Sequence, residues 1–176
     1  MDRSLLDLIC CPVCHSALSL KTESEGEYFQ CSTCERKYPI QNGIVHFIDL
    51  GELEGSNQKF ARFYDRYASL YSLFSKFAFL PFGGERKARM EILDHLDLSG
   101  KRILEVSVGN GVNLPYLFDL LNPTDVFGID ISIGMLSQCA KSKNKQGWGV
   151  EIFLAAAEAL PFRDGIFDNV LHIGGI

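Results

Sequence analysis

Four cysteines constrain this chain more than any other feature of its sequence. They form two Cys-x2-Cys pairs, Cys11 with Cys14 and Cys31 with Cys34, and 16 residues separate the pairs. Two such pairs, each in a tight turn, bring four thiolates to the corners of a tetrahedron, which is the ligand geometry of structural zinc. The spacing therefore predicts a zinc ribbon.

Two alternatives to zinc stay open from the residues alone. One is a pair of structural disulfides, although a Cys-x2-Cys pair is a poor geometry for such a bridge and a cytoplasmic chain is kept reduced. The other is iron in the same four-thiolate cage. Cys10 and Cys139 stand apart, and His15 is not needed as a ligand because four thiolates already fill a site.

The composition excludes several classes of protein. With 47% hydrophobic and 22% charged residues among 176, the chain is globular rather than disordered. No apolar run approaches the roughly 18 residues that span a bilayer, and the start of the chain is too acidic for a signal peptide. We expect a cytoplasmic protein. The net charge of −5 gives no general attraction to nucleic acid, so no nucleic-acid partner is expected.

A change of pattern near residue 50 predicts a domain boundary. Residues 1–50 contain the cysteine pairs and short alternating stretches that suit metal-clipped hairpins, where zinc supplies the folding free energy that so small a core lacks. Residues 51–57 are typical of a linker. Residues 58–176 form the second domain.

Helical and β-rich patterns alternate through this second domain. Apolar residues recur at three-and-four spacing over 60–74 and again over 90–98, which predicts a helical segment over 58–99. Four β-rich runs follow, at 102–106, 126–130, 150–154 and 167–173. Each of the first three precedes a stretch that can form helix. The alternation predicts an α/β fold, a Rossmann-like doubly wound parallel sheet of about four strands over 100–176.

The loop after the first run and the segment after the second carry a specific resemblance. The loop is Glu-Val-Ser-Val-Gly-Asn-Gly over 105–111, and the second segment is Gly-Ile-Asp-Ile-Ser-Ile-Gly-Met-Leu over 128–136. Together with Ala-Glu-Ala-Leu-Pro-Phe at 157–162, they resemble class I S-adenosylmethionine-dependent methyltransferases, most of all those related to ubiquinone and menaquinone biosynthesis. The resemblance implies methyl transfer from S-adenosylmethionine to a small-molecule acceptor.

A second resemblance concerns the cysteine-rich region. Residues 9–48 resemble the small zinc-ribbon proteins that accompany methyltransferases as partners or are fused ahead of the catalytic domain. Residues 1–50 contain four basic and seven acidic residues, so this region repels phosphate rather than binding RNA. We expect structural zinc and a protein contact, either with the catalytic domain of the same chain or with a separate partner.

The first resemblance assigns roles to individual residues. Gly109 and Gly111 permit the sharp turn and a close approach of the ligand. Glu105 balances the positive groups of the cofactor, and Asp130 accepts hydrogen bonds from both ribose hydroxyls. The other predicted cofactor contacts are Tyr71, Ser107, Ile131, Met135 and Ala157. As alternatives, Glu105 only caps the loop and Asp130 caps a helix over 132–140.

Two residues depart from the family pattern. Ser107 stands at the first glycine of the loop, which a turn tolerates where φ is negative, and we expect the change to be benign. Ala156 replaces an aspartate that often accepts from the adenine amino group. Adenine is then expected to be held by the backbone of Ala157 and by apolar contacts with Ile131 and Met135.

Aromatic residues and one histidine complete the predicted site. By resemblance, an N-terminal helix closes over the cofactor, and Tyr71 is favoured over Tyr64 and Tyr67 to face the sulfonium. Part of this stripe is expected to pack in the core. The apolar run 77–82 suits either the core, a lipophilic acceptor or a membrane surface. His172 is the predicted catalytic group beside the transferring methyl, with a buried structural histidine as the alternative.

Two other functions remain as alternatives. An NAD-dependent oxidoreductase is suggested by Asp130, which lies 21 residues after Gly109, but the third glycine of that fingerprint falls on Leu114. The predicted strands are fewer than the seven that the resemblance implies, so we expect a truncated chain with an exposed fourth strand. A catalytically inactive remnant, acting as a zinc-ribbon interaction module or cofactor binder and self-associating through that strand, is the second alternative.

Overall fold

A computed structural model describes residues 3–49, 51, 53, 55–78, 84–95, 101–121 and 125–173. The N-terminal part begins with a 3-10 helix over Arg3–Asp7 and continues as an antiparallel ladder. Its strands are β1 Leu18–Glu23, β2 Gly26–Cys31, β3 Lys37–Gln41 and β4 Ile44–His46. The β3–β4 turn consists of Asn42 and Gly43, both with positive φ, as a two-residue turn of right-twisted strands requires.

The second part alternates helices and strands. Its helices are α1 Gly55–Ala78, α2 Glu85–Leu93, α3 Leu114–Leu121 and α4 Ile133–Gln146. Its strands are β5 Arg102–Val106, β6 Asp125–Asp130, β7 Val150–Leu154 and β8 Asn169–His172. These four strands are parallel and lie in the order β7-β6-β5-β8, which confirms the Rossmann-like α/β sheet.

The two parts share one sheet. Strand β4 pairs in parallel with β7, with Val45 opposite Phe153 and His46 opposite Leu154. The result is an eight-stranded mixed sheet in the order β1-β2-β3-β4-β7-β6-β5-β8. The last strand of the cysteine-rich region therefore extends the Rossmann-like sheet, although it precedes the predicted linker.

Different parts of the chain pack on the two faces of this sheet. Ile103, Val126 and Ile152 face the side on which α3 and α4 pack. Leu104 and Phe127 face the opposite side, where their apolar neighbours come from the cysteine-rich region and from the loop before β8. The buried residues that the cysteine-rich region contributes to this second core are Leu5, Ile9, Cys11, Leu18, Phe29, Cys31, Tyr38, Val45 and Phe47.

The connection from β7 to β8 differs from the sequence expectation. A stretch able to form helix was expected after the third β-rich run, but residues 155–168 form turns and loops. Cys10 N donates to the Pro161 carbonyl at 3.0 Å, and Arg163 N donates to the Leu8 carbonyl at 3.0 Å. The loop is thus paired with the cysteine-rich region, which occupies the sheet face where a crossover helix would pack.

Three further expectations concern element ends and edges. Helix α2 ends at Leu93, earlier than the predicted pattern to residue 98, and residues 96–100 lie outside the described residues. Strand β8 is at the end of the sheet among the described strands, and its Val170 is 58% exposed, as expected for an open edge. Across the described ranges, none of the helices combines the length and the hydropathy needed to cross a bilayer.

We predict that metal loss unfolds the whole sheet and not only the cysteine-rich region. Trp148, the single tryptophan, stacks on Phe118 on the helical side and so reports on the face away from the cysteines. Structural zinc contributes on the order of 10 kcal/mol in small zinc domains, which is comparable with the stability of an entire domain. Chelation should therefore change Trp148 emission and far-ultraviolet circular dichroism in one cooperative step.

The matched variants are Cys14→Ser, which removes one thiolate of the cluster, and Cys139→Ala, which leaves all four in place. Only the first should lose zinc and the native Trp148 signal. A native Trp148 signal after complete release of the metal would show that the two faces fold independently.

Candidate functional site

The four cysteines of the two pairs converge at one point. Their sulfur atoms all lie within 4.8 Å of one another, with Sγ–Sγ distances of 3.6 Å from Cys11 to Cys34 and 3.4 Å from Cys14 to Cys31. Tetrahedral zinc with bonds of about 2.3 Å places its sulfur ligands about 3.8 Å apart, whereas a disulfide needs about 2.05 Å. All six cysteines are free thiols, so the four residues fit zinc and not two disulfides.

Neighbouring groups lower the pKa of two of the four thiols, Cys11 and Cys14, towards the thiolate form that a metal requires, whereas desolvation and the neighbouring thiols raise the pKa of Cys34 to about 12. The Tyr38 hydroxyl lies 3.0 Å from Cys11 Sγ, and the backbone N–H groups of Thr33 and Cys34 donate to Cys31 Sγ at 3.4 Å. Hydrogen bonds from Ser16 lower the pKa of Cys14 to about 6. These contacts orient the sulfur atoms and stabilise their negative charge.

A second group of predicted residues meets at the carboxyl ends of β5 and β6. Asp130 ends β6, and its Oδ2 accepts from Gly109 N at 2.8 Å while its Oδ1 accepts from Ser132 N at 2.9 Å. The N-cap of α4 is Ser132, whose Oγ accepts from Met135 N. The alternative that Asp130 is the N-cap is therefore wrong. Its carboxylate ties the loop to the start of α4.

Glu105 is fully buried in β5 and is the centre of a polar chain. Asn113 Nδ2 donates to Glu105 Oε1, and Arg89 Nη1 donates to Asn113 Oδ1. Burial raises the pKa of Glu105 to about 7, although the Asn113 hydrogen bond and the Arg89 charge oppose that rise. The sequence analysis missed Asn113 and Arg89. The only signal for Asn113 was its amide in an otherwise apolar stretch after Gly111.

Unpartnered buried atoms mark this crevice as a place for a ligand. Among the described residues, three buried side-chain N or O atoms have no partner, and two of them, Glu105 Oε2 and Asn110 Oδ1, belong to this loop and its strand. Both are acceptor oxygens, so they suit a ligand that brings hydrogen-bond donors. S-adenosylmethionine carries such donors in its ammonium and hydroxyl groups, and the residues present therefore fit it.

The two loop glycines are required by packing as well as by conformation. Gly109 and Gly111 have φ of 56° and 80°. A Cβ on Gly109 would lie 3.1 Å from Met135 Cε, and one on Gly111 would lie 2.9 Å from Cys139 Sγ and from Leu114 Cδ1. Met135 and Cys139 both belong to α4. The glycines thus let the loop lie directly on that helix, and they give Cys139 a role in packing.

The backbone conformation of Ser107 differs from the expectation. We expected a negative φ at this position, where the family pattern has glycine, but φ is 58°. Such left-handed backbone costs a non-glycine residue roughly 1–2 kcal/mol, because Cβ approaches the backbone. The assumption of a benign substitution was therefore wrong. The loop retains this strain at the point where the chain leaves β5.

Helix α1 is fastened to the start of α4 by one carboxylate. Asp65 Oδ1 accepts from Ser132 Oγ at 2.6 Å and from Gly134 N at 2.8 Å. A Cβ on Gly134 would lie 2.8 Å from Asp65 Cα, so the two backbones touch. Because Ser132 also donates to Asp130, the contact links α1 to the crevice. Asp65 was missed by the sequence analysis, although it is the single acid of α1.

The N-terminal half of α1 also covers the end of β7. Leu53 and Ala61 form a buried apolar cluster with Ala156, against which Ile131 packs. Asn57 Nδ2 donates to Glu158 Oε1 at 2.8 Å in the following turn. An aspartate at residue 156 would place its carboxylate in this apolar cluster. The alanine that departs from the family pattern is therefore explained by the packing of α1.

The remaining predicted residues are distributed around this crevice. Ala157 is exposed in the turn after β7, Tyr64 is half-buried, and Tyr67 is exposed. The side chain of Tyr71 lies outside the described residues. His172 is exposed at the carboxyl end of β8, opposite Val106. The roles of Tyr71 as a sulfonium contact and of His172 as a catalytic group remain predictions.

Comparison with known proteins gives two family matches. Residues 103–176 match the methyltransferase domain family, and residues 2–43 match the family of Trm112p-like proteins. The first match contains the crevice between β5 and β6. The second contains all four clustered cysteines.

Individual relatives cover mainly the second part of the chain. A phthiotriol/phenolphthiotriol dimycocerosates methyltransferase of Mycobacterium ulcerans is 39% identical over 79 residues, which are 45% of this chain and 28% of that protein. A fatty-acid O-methyltransferase of Mycolicibacterium smegmatis is 35% identical over 77 residues, 44% of this chain and 27% of that protein. The chain thus spans less than a third of the length of these relatives.

A solved structure shares the fold. A protein from Methanococcus maripaludis assigned as an S-adenosyl-L-methionine-dependent methyltransferase superposes with a TM-score of 0.54 at 16% identity. The match covers 63% of this chain and 50% of that one. At this identity the similarity supports the fold alone.

We predict that ionisation of Glu105 weakens the ligand-free protein as the pH rises. The pKa of this group is about 7 when folded and 4.5 when exposed, so stability is lost between roughly pH 4.5 and 7. Glu105→Gln imitates the neutral form and should remove that loss, which amounts to roughly 3 kcal/mol. Urea unfolding of both proteins at pH 4.5 and pH 8 measures the difference. Identical pH slopes for the two proteins would contradict the assignment.

We predict that Asp65 supports ligand binding through Ser132. Asp65→Ala leaves Ser132 Oγ and Gly134 N without their acceptor, which costs roughly 1–3 kcal/mol of stability and should weaken S-adenosylhomocysteine binding about tenfold. Asp65→Asn keeps an acceptor oxygen and should lose less. The control is Asp94→Ala, at an exposed acid beyond α2. Calorimetric titration compares them, and equal affinity of Asp65→Ala and wild type would refute the link.

Proposed function

We propose that the protein transfers the methyl group of S-adenosylmethionine to a small-molecule acceptor, because residues 103–176 match the methyltransferase domain family and residues 2–43 match the family of Trm112p-like proteins. The observation that carries this proposal is the crevice at the ends of β5 and β6. There, Glu105 Oε2 and Asn110 Oδ1 are buried acceptors without partners, beside the carboxylate of Asp130.

The proposed roles follow from the chemistry of each group. Glu105 and the loop of Gly109 and Gly111 receive the methionine part of the cofactor, and Ser107 lies at the start of that loop. Asp130 has one hydrogen bond to each carboxylate oxygen, so each oxygen retains a lone pair for a ribose hydroxyl. Ile131, with the backbone of Ala157, borders the adenine. Met135, on α4, packs against the loop at Gly109.

Catalysis on this proposal rests on alignment. The bound cofactor supplies a methyl group on a sulfonium, which is already a good leaving group. The protein holds the acceptor in line with that methyl and excludes water, which accounts for most of the rate in such displacements. Tyr71 faces the sulfonium in this proposal, and His172 accepts a proton from the acceptor where the acceptor has one to lose.

We further propose a lipophilic acceptor. The two relatives named above act, by their names, on phthiotriol dimycocerosates and on fatty acids. Both acceptors are lipids, and both relatives match the part of this chain that contains the cofactor crevice. An NAD-dependent oxidoreductase is disfavoured because Leu114 stands where that loop needs its third glycine.

The zinc ribbon has a structural role in this proposal. It covers one face of the sheet, and its acidic composition favours protein rather than nucleic acid as any further partner. Its four reduced thiols suit the cytoplasm, where we place the protein. The exposed edge of β8 favours a second candidate, an inactive cofactor binder that associates through this strand.

Cofactor titration with Asp130→Ala as the variant tests the proposal. S-adenosylhomocysteine should bind the zinc-loaded wild type, and loss of the ribose acceptor should weaken binding by at least about tenfold, as is typical for a hydrogen bond to a charged group. Asp125→Ala, at the opposite end of β6, serves as the control. Binding that survives Asp130→Ala would remove this residue from the site.

Transfer of radiolabelled methyl to fatty acids then separates an enzyme from a binder. Product above the level of the Asp130→Ala variant supports catalysis by this chain. Cofactor binding without any product would favour the inactive binder.

A further inference from the structure

The outward side of α1 carries cations and aromatic rings in two adjacent rows. We call this surface the outer face of α1; its residues are Lys59, Phe60, Arg62, Phe63, Arg66 and Tyr67. At about 100° per residue, these six positions occupy an arc of about 160°, with the three cations on one side and the three rings on the other. The opposite side of the helix, which holds Ala61, Asp65 and Ala68, is turned into the protein.

The rings of the outer face are exposed to an unusual degree. Phe60 is 42%, Phe63 is 56% and Tyr67 is 41% exposed. Phe63 packs against Tyr67 with ring centroids 4.8 Å apart, so these two rings form a contiguous patch, and Phe60 lies one turn before Phe63 on the same side of the helix. A contiguous apolar patch rimmed by polar groups marks an interaction surface.

The charge of the outer face is opposite to that of the chain. The helix contains four cations and a single acid, Asp65, whereas the whole chain has a net charge of −5. Asp65 is turned inward to Ser132 and Gly134, so it does not neutralise the outer face. The salt bridges found in the described part of the chain involve none of Lys59, Arg62 and Arg66. All three are exposed, and the face is uniformly positive.

We propose that the outer face of α1 docks on an anionic lipid bilayer surface. Cations at the headgroup level attract acidic lipids, while rings beside them enter the boundary between headgroups and acyl chains. Such a helix lies in the interface and does not cross the bilayer, in keeping with the hydropathy of the described helices. RNA is less well matched because three cations neutralise few phosphates, and the aromatic rings lie together rather than between the cations.

The position of α1 relates this surface to the cofactor crevice, and this step of the inference rests on the proposed function. The inner side of the helix is fastened through Asp65 to Ser132, which bonds directly to Asp130. Docking of the outer face therefore brings the cofactor crevice to within one helix diameter, about 10–12 Å, of the lipid surface. A lipophilic acceptor dissolved in that surface reaches the crevice without crossing water.

Vesicle co-sedimentation of the zinc-loaded full chain tests the docking directly. The vesicles contain phosphatidylcholine alone or with 30% phosphatidylglycerol, at about 0.1 M salt so that the charges are not fully screened. We expect binding to the anionic vesicles and at least about tenfold weaker binding to neutral ones. Absence of binding to anionic vesicles overturns the proposal.

Paired variants locate the binding surface. Arg62→Gln with Arg66→Gln should reduce partitioning onto anionic vesicles about tenfold or more, as should Phe60→Ser with Phe63→Ser. Lys141→Gln with Lys145→Gln removes the same charge from exposed positions of α4 and should leave partitioning unchanged. If the α4 variant lost as much vesicle partitioning as the outer-face variants, binding would depend only on net charge, and the proposal would be overturned.

Two further measurements separate the possible failures. S-adenosylhomocysteine binding should stay unchanged in the outer-face variants, which shows that they fold. If wild type binds vesicles but not S-adenosylhomocysteine, the proposed function fails and the docking surface stands. If the outer face bound single-stranded RNA more tightly than anionic vesicles, the partner would be RNA and not a lipid surface, and the proposal would be overturned.

Discussion

The parallel pairing of β4 with β7 is the contact on which the rest of the structure depends. It joins the strands of the cysteine-rich region to those of the Rossmann-like sheet, and Phe47 N extends it by donating to the Leu154 carbonyl at 2.8 Å. The ribbon is then held over one face of the sheet, where Tyr38 packs on Phe47 and Phe47 packs on Phe153. Burial of these rings stabilises both parts at once. The cysteine cluster and the Rossmann-like sheet therefore belong to a single hydrophobic unit.

This arrangement also determines where α1 begins. The chain leaves β4 at the same sheet edge at which β7 ends, and only a short segment separates it from the helix. Ile48 and Leu53 in that segment pack with Ala61 and Ala156, so the first turns of α1 lie over the end of β7. The segment after β4 thus covers the end of β7, where Ile131, next to Asp130, packs against the same cluster. An aspartate at residue 156 would place its carboxylate in this apolar cluster.

Local patterns predicted most of the elements, and long-range contacts account for what they missed. The cysteine spacing and the β-rich runs are short-range signals, and both the thiolate cluster and the order of strands and helices agree with them. The extension of the sheet by β4 depends on residues more than 100 positions apart, which periodicity does not detect. The helix expected after β7 is absent because the ribbon occupies its face. The φ of Ser107 was misjudged because residue type alone does not fix the backbone angles of a loop, and this loop holds Ser107, Gly109 and Gly111 all at positive φ.

The distribution of charge around α1 connects the inner and outer surfaces of the molecule. Glu105, Asp130 and Asp65 bring three carboxylates to the crevice, where burial raises the pKa of the first two. Positive ligand groups reverse that effect, because an opposite charge favours the ionised carboxylates. Cations on the inner side of α1 would compete with such a ligand for these carboxylates. With its single acid turned inward and three cations turned outward, the helix keeps the crevice negative and the outer face positive. In the proposed function, one element therefore favours a sulfonium on one side and an anionic surface on the other.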